Sequence, residues 1–310
     1  MPMGKDTYTG SSEMRESLLS ILRDVSPTED NYFTSNLGTG PVALQPSHYW
    51  NLYYVSRPTS VIPLGEGVDT VYADQQAETR SSNKTAIVGR PVRVSRTKAS
   101  IAMVTGEDAV GKEKERSLTL LKSDMEWLTI NGALTAGSSG LYRGMSGLVQ
   151  CISTNVTARA SGTSFTETEL NDMIQESWNA VGSQYVADLL VSPVIIKRKI
   201  AGFGTNLTRN VNAVDKRLTQ EVRVYDSQVG PTVTVIAHKD VNAAAGTLAI
   251  YAVREDLFQQ SFLVDSGEPH WEERPSAGDY VSGTYITEFT LVSYDQHASV
   301  RRSGYQTTLS

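Results

Sequence analysis

The chain has 310 residues, a formal net charge of −6 and an isoelectric point near 5.4, so it lacks the basic footprint of a protein whose main task is to coat nucleic acid. Its 39% hydrophobic content supports a real core, and its length fits two domains at roughly 150 residues each. A lone cysteine, Cys151, excludes an intrachain disulfide and a cysteine-rich metal framework.

The first ten residues lack the basic-then-apolar pattern of a secretion signal, and no apolar run approaches about 18 residues. The expectation is a chain that does not span a membrane and stays in the cell that makes it. Residues 1–46 read as an arm more than a domain. A helix candidate over 13–23 carries Leu18, Leu19, Ile21 and Leu22, and Pro27, Gly38, Gly40, Pro41 and Pro46 interrupt the rest of the arm.

Residues 47–103 then read as strand, long loop and return strand, with Pro58, Pro63, Gly65 and Gly67 blocking helix on the outbound limb. Charge divides this excursion. The acids Glu66, Asp69, Asp74 and Glu78 come first, without a base among them, and the bases Arg80, Lys84, Arg90, Arg93, Arg96 and Lys98 come after without an acid. Two readings fit: solvated faces of one hairpin, or an acidic part and a basic part that meet complementary surfaces on neighbouring copies. From 107 to 130, Leu118, Leu121, Met125 and Leu128 fall on one helical stripe, and Asn131-Gly132 supplies the stop.

Glycines at 132, 137, 140, 144 and 147 suggest a flexible connector. Beyond it, Thr166-Glu167-Thr168-Glu169 is a capping box, with the Glu169 carboxylate expected to reach back to the helix start. The helix it opens should turn Leu170, Ile174, Trp178 and Val181 inward and stop at Gly182. Residues 185–191 read as a buried strand, and Ser192-Pro193 as the start of a short helix ending at Gly202. Strands rich in Val, Ile, Thr and Tyr are expected over 221–227, 232–238, 247–254 and 284–294, the last with Tyr285, Phe289 and Leu291 on one side.

Motifs that imitate catalytic sites do not hold up chemically. Residues 106–112 match the spacing of a phosphate loop ending at Lys112, but Glu113 stands where a hydroxyl should hold magnesium, and Glu107 and Asp108 put negative charge where phosphate would sit. Acids in a first helical turn suit the helix dipole instead. Residues 38–43 imitate a dinucleotide fingerprint without the flanking strand and helix. His48, His238, His270 and His297 lack metal-ligand spacing, and Asp188 and Glu288 have no visible partner. The run Lys197-Arg198-Lys199, continued by Arg209, Lys216 and Arg217, reads as a solvated face or a polyanion contact. No catalytic, cofactor or metal site is expected.

The order of these parts resembles one family. The arm with Val25-Ser26-Pro27, the loop to Arg93-Val94-Ser95, the helix ending at Asn131-Gly132 and the connector 143–148 are similar to those of tailed-phage major capsid proteins. So are Ala252-Val253-Arg254-Glu255 with Phe262-Leu263, the run 286–291, and the tail with His297-Ala298. The likeness is to a divergent branch of the Hong Kong 97 type fold, and its loop over 61–80 is longer and more acidic than that family's. The resemblance implies an α+β fold with an N-terminal arm (1–46), an extended loop over an adjacent subunit (47–100) and a peripheral domain with a spine helix (101–145). An axial domain (146–255) and a C-terminal return to the peripheral domain (256–310) complete it. It also implies hexamers and pentamers of an icosahedral head around double-stranded DNA, assembled in the host cytoplasm with a portal and with scaffolding or decoration proteins. On this reading Glu66, Asp69, Asp74, Glu78, Arg90, Arg93 and Arg96 lie at the assembly interface. Two rivals predict different properties: an encapsulin-like compartment would hold a protein cargo, and a soluble α/β enzyme would bind nucleotide as a monomer.

Overall fold

The computed structural model describes residues 31–53, 65–67, 69, 77–100, 108–203, 211–212, 217–218, 223–241, 248–265, 267–275 and 278–308. The helix candidate over 13–23, the Val25-Ser26-Pro27 motif, Gly106, Glu107, Asp74, Arg209 and Lys216 lie outside them. The described chain begins with a five-residue helix, α1 (Tyr32–Asn36), and a two-residue strand, β1 (Gly38–Thr39). Strands β2 (Ser47–Leu52) and β3 (Thr79–Lys84) pair antiparallel, Ser47 opposite Lys84 and Leu52 opposite Thr79, so the long excursion closes on its own start.

Only Thr85 separates β3 from β4 (Ala86–Ser95). In β4 the period of two is clean: Ala86, Val88, Arg90, Val92 and Val94 turn inward, while the residues between them are exposed. Ten residues of the return limb are therefore sheet. A short helix, α2 (Arg96–Ser100), comes next. The long helix α3 (Ala109–Asn131) spans 23 residues, about 34 Å at the α-helical rise. It starts two residues later than the sequence suggested because Asp108 caps it, accepting from the Val110 and Gly111 amides at 3.1 and 3.0 Å.

The glycine connector is an ordered hairpin. Thr135 pairs with Gly144 and Ser138 with Leu141, and the glycines act through their lack of a side chain. The Gly147 amide reaches the Gly132 carbonyl at 2.9 Å. A Cβ on Gly132 would sit 2.5 Å from the Leu128 carbonyl oxygen, and one on Gly147 2.5 Å from the Gly132 nitrogen. The chain continues through α4 (Leu148–Cys151), β5 (Val156–Thr163), α5 (Glu167–Val181), β6 (Leu189–Ser192), α6 (Val194–Phe203), β7 (Val211–Asn212), β8 (Arg217–Leu218), β9 (Val224–Asp226), β10 (Thr232–Ala237) and β11 (Leu248–Val253). It ends with β12 (Phe258–Phe262), β13 (His270–Glu273), β14 (Tyr280–Ser293) and β15 (Val300–Tyr305).

Two sheets carry the fold. In the smaller one β12 joins β1 to β14, while β13 and β4 also pair with β14. The other runs β5-β15-β11-β6-β10-β9, with β10 parallel to β6 and β15 parallel to β5. Strands β6 and β11 are buried along their whole length, as central strands covered on both faces must be. One face packs on α5 and α6 through Leu170, Ile174 and Ile196. The other joins the two sheets, bringing Val191 and Tyr251 together with Phe258 and Leu291, Ile130 of α3 and Phe33 of α1. A third cluster seats α3 on the smaller sheet through Met125, Met145, Ala86 and Phe289.

Several local expectations need correction. The last strand, β15, lies in the six-stranded sheet and not with the other C-terminal strands. Thr166 does cap α5, but the Glu169 carboxylate turns away from the helix start. It accepts from Arg159 at 2.9 Å, Arg302 at 3.0 Å and Tyr305 at 2.7 Å, pinning β15 to α5. Burial would raise the Glu169 pKa; those hydrogen bonds and the two guanidinium charges outweigh it and hold the carboxyl below its usual range. Trp178 is exposed, and Ser177 takes the inward place because its hydroxyl bridges the Ala298 carbonyl and the Ala187 amide. The strand expected from 185 begins only at Leu189. Ser192 does not cap α6; its hydroxyl bonds the Ile236 carbonyl across the sheet at 3.3 Å, and the helix opens one residue further on.

On α3 the buried positions are Ala109, Ser117, Leu121, Met125, Glu126, Thr129 and Ile130, with Leu118 and Leu128 half-buried at the margin. Leu121 has no exposed surface, so Leu121→Ala is expected to cost about 2 to 5 kcal/mol of subunit stability. A denaturant titration of an assembly-deficient subunit measures it.

Candidate assembly surfaces and the arm clamp

The most buried charged side chain among the described residues is Glu126, with 0% exposure on α3. A buried carboxylate needs donors, because desolvating an unpaired charge costs several kcal/mol. Four converge on it. Oε1 accepts the Phe33 amide at 2.9 Å and stands 2.9 Å from His238 Nε2, while Oε2 accepts both the amide and the hydroxyl of Thr34 at 2.7 Å. Asn31, at the N-cap of α1, makes no side-chain cap, so a carboxylate from another helix satisfies the first-turn amides. The Asp240 amide donates to His238 Nδ1 at 3.1 Å, which leaves the Nε2 proton of a neutral imidazole facing Glu126. Asn131, at the end of α3, holds the same turn through the Asp240 carbonyl at 2.9 Å.

Next to this clamp, Tyr32 donates to Glu255 at 3.1 Å. Burial, then the Glu255 charge and hydrogen bond, push its phenol up to about 12. Between α1 and the edge of the six-stranded sheet lies an open cleft of about 540 Å³, lined by Asn31, Asn36, Lys197, Arg223 and His238. His238, on its wall, is spent on Glu126.

A second buried polar cluster sits at the root of the β2–β3 hairpin. Asn83 donates to the carbonyls of Leu291 and Ser146 at 2.7 and 3.0 Å and accepts the Ser146 amide at 2.9 Å. Thr85 gives its amide to Pro46 and takes Arg143 Nε on its carbonyl at 2.7 Å. Arg143 and Thr85 both bond Glu288, which supplies the partner that was invisible in sequence. Asp188 likewise pairs with Arg254 at 3.2 Å.

The charges proposed for assembly have mostly local partners. Arg90 points inward from β4 and forks onto Asp124 of α3, and that hydrogen bond raises its pKa. Arg93 lies 3.7 Å over the Tyr280 ring and Arg96 3.2 Å from Asp279. Arg80 stacks on Tyr49, Lys84 reaches the Ala136 carbonyl, and Lys98 pairs with Glu113. Glu78 accepts from Asn51 across the hairpin at 3.0 Å, while Glu66 and Asp69 are exposed. The two catalytic imitations resolve into structure. Asp108 covers the amides a phosphate would need. Residues 38–43 run as an edge segment along β12, with the Gly40 amide 2.7 Å from the Gln260 carbonyl. On α6, Lys199 donates to Ser164 at 3.2 Å and Arg198 is exposed.

A family model described as SU10 major capsid protein matches residues 3–305. The chain belongs to that family. Among solved structures, the capsid of cyanophage A-1(L) is similar over 99% of this chain and 100% of that chain, at 12% identity and a TM-score of 0.65. The capsid of Myoviridae phage XM1 is similar over 93% and 96%, at 13% identity and a TM-score of 0.61. A holo-SrpI encapsulin complex from Synechococcus elongatus PCC 7942 covers 99% and 98%, at 14% identity and a TM-score of 0.57. No curated protein matches. The capsid-protein fold is thus a mixed α and β architecture of the Hong Kong 97 type, and the residues that brace it here are Glu126, Asn83, Arg143 and Glu288.

Sequence reasoning passed over Glu126, whose one available signal was an acid lying beside the apolar stripe, four residues before Ile130. This geometry sets the expected outcomes of four substitutions. Glu126→Ala strips the acceptor from four buried donors and is expected to cost about 3 to 5 kcal/mol of subunit stability, measured by chemical denaturation, with Glu126→Gln losing less. Arg90→Glu, which sets two carboxylates face to face, is expected to lower the melting point by an amount equivalent to about 1 kcal/mol. Arg96→Glu, in a pair whose side chains are 70% and 67% exposed, should leave it unchanged.

Proposed function

We propose that this major capsid protein is the repeating subunit of a tailed-phage head, closing as hexamers and pentamers into an icosahedral shell around double-stranded DNA. The observation that carries the reading is the family match over almost the whole chain, residues 3–305. Segments that cannot hold a core alone add support. The β2–β3 hairpin forms a sheet of only two strands, and such hairpins are marginal without something to lie on.

In this reading residues 1–46 are the arm and α3 is the spine of the peripheral domain. The extended loop begins at residue 47, and its free part ends at Thr85, because β4 joins the smaller sheet. Residues 146–255 build the axial domain, which β15 completes. A portal and scaffolding or decoration proteins are its partners in assembly, which takes place in the host cytoplasm, and the subunit itself performs no catalysis. Contact with DNA is non-specific and local, in keeping with the net charge of −6. Exposed Glu66 and Asp69 belong to the contact with a neighbour; the return-limb arginines act first within their own subunit.

The encapsulin likeness favours a second reading, a compartment around protein cargo. Sedimentation of native particles, with analysis of their contents, separates the two. Megadalton particles containing nuclease-protected double-stranded DNA are expected. Uniform small shells filled with one protein would favour the compartment, and a stable monomer that binds nucleotide through Lys112 would overturn both.

A further inference from the structure

We infer that the root of the extended loop carries an apolar contact surface for a second copy of this chain, in which residues 133–142 of one subunit pack on the segment 38–46 of the next. The inference rests on the shell-subunit reading and names a contact within it. Tyr142 is 93% exposed, Leu141 57% and Leu134 44%; on the other segment Leu44 is 75% and Val42 54% exposed. Isolated exposed apolar side chains need no explanation, but these fall in two short stretches that share a second property. Neither 38–46 nor 133–142 contains an acidic or basic side chain, in a chain of which 20% is charged.

Both stretches have a fixed backbone, so their apolar groups are displayed and cannot fold away. In the hairpin, Gly137 and Gly140 hold positive φ of 74° and 86°, a region open to glycine at no steric cost. Ser138 and Leu141 exchange two hydrogen bonds at 3.0 Å. The Thr135 hydroxyl donates to the Tyr142 carbonyl at 2.8 Å, and Gln150 accepts the Leu134 amide at 2.6 Å. In the other segment Ala43 is tied to Phe262 and Val264 by backbone bonds of 2.9 Å. With Ala43 turned in, the alternation of extended chain turns Val42 and Leu44 out.

A preorganised surface loses little conformational entropy on docking, which is where rigid apolar display is useful. Polarity selects the occupant: residues 133–142 and 38–46 carry no charged side chain of their own, with Lys84 at the margin of the hairpin on the Ala136 carbonyl, so each is matched by an apolar surface, and the chain owns both, a hairpin and an extended edge. Heterologous contact between unlike patches of identical copies is how rings and shells close. The patches flank one residue, since Thr85 binds Pro46 on one side and Arg143 on the other, so the contact is continuous with the base of the loop proposed to cross the neighbour.

The test compares the full chain with Leu141→Ser/Tyr142→Ser and with Tyr142→Phe under conditions that assemble the wild type. The double variant should keep the wild-type circular dichroism and melting point while its particle yield falls by at least about tenfold, and Tyr142→Phe should assemble normally. In wild-type shells, Tyr142 should resist tyrosine nitration, read by mass spectrometry, that modifies it in the dissociated subunit. Normal shells from the double variant, or shells in which Tyr142 is nitrated as fast as in the free subunit, overturn the inference and leave the shell reading standing. Nitration blocked only by an added decoration protein or by a membrane would assign the surface to that occupant and also overturn it. A wild-type chain that never forms particles removes the shell reading and this contact with it.

Discussion

A carboxylate with no access to water sets the arrangement of this subunit. Glu126 is tolerable inside the protein only because its oxygens are filled by donors from α1 and from the turn after β10. Each of those elements is therefore fixed by the same charge. The apolar cluster that joins the two sheets contains Phe33 and Ile130, so the polar clamp and the hydrophobic seam sit side by side. Burial supplies most of the favourable free energy, while the carboxylate specifies which residues of the arm lie there, since any other register would leave a desolvated charge unmatched.

Polar groups at the root of the β2–β3 hairpin work in the same way. Asn83, Thr85, Arg143 and Glu288 find partners within the subunit, and Arg90 and Arg93 of β4 do likewise with Asp124 of α3 and Tyr280 of β14. These charges of the described residues thus help to hold the subunit in shape. Beside them, residues 38–46 and 133–142 display apolar side chains and carry no charge of their own. Exposed ion pairs contribute little and fade in salt, whereas a rigid apolar surface gives an association that survives changes in ionic strength.

Much of the architecture was legible in one sequence because local chemistry and tertiary packing agree there. Gly132 ends the long helix, Thr166 and Gly182 bound α5, and the strand expected over 247–254 appears as β11. Reading failed where a side chain serves a distant element. Glu169 looked like half of a capping box and is drawn instead to Arg302 and Tyr305, more than 130 positions away. The connector glycines looked like flexibility and instead permit close backbone contact. The return-limb bases looked like an outward face because sequence shows the sign of a charge but not its partner; Asp124 and Asp279 were out of sight. Glu126 and Glu288 were hidden for the same reason, their partners lying 93 and 145 positions away along the chain.

The account is tested most directly by electron cryomicroscopy of the native assembly at side-chain resolution. It predicts a closed icosahedral shell in which every subunit keeps Glu126 bonded to Phe33 and Thr34 of its own chain and to His238. Particles without shell symmetry, or shells in which that carboxylate is exposed or met by the arm of a neighbouring copy, would contradict it.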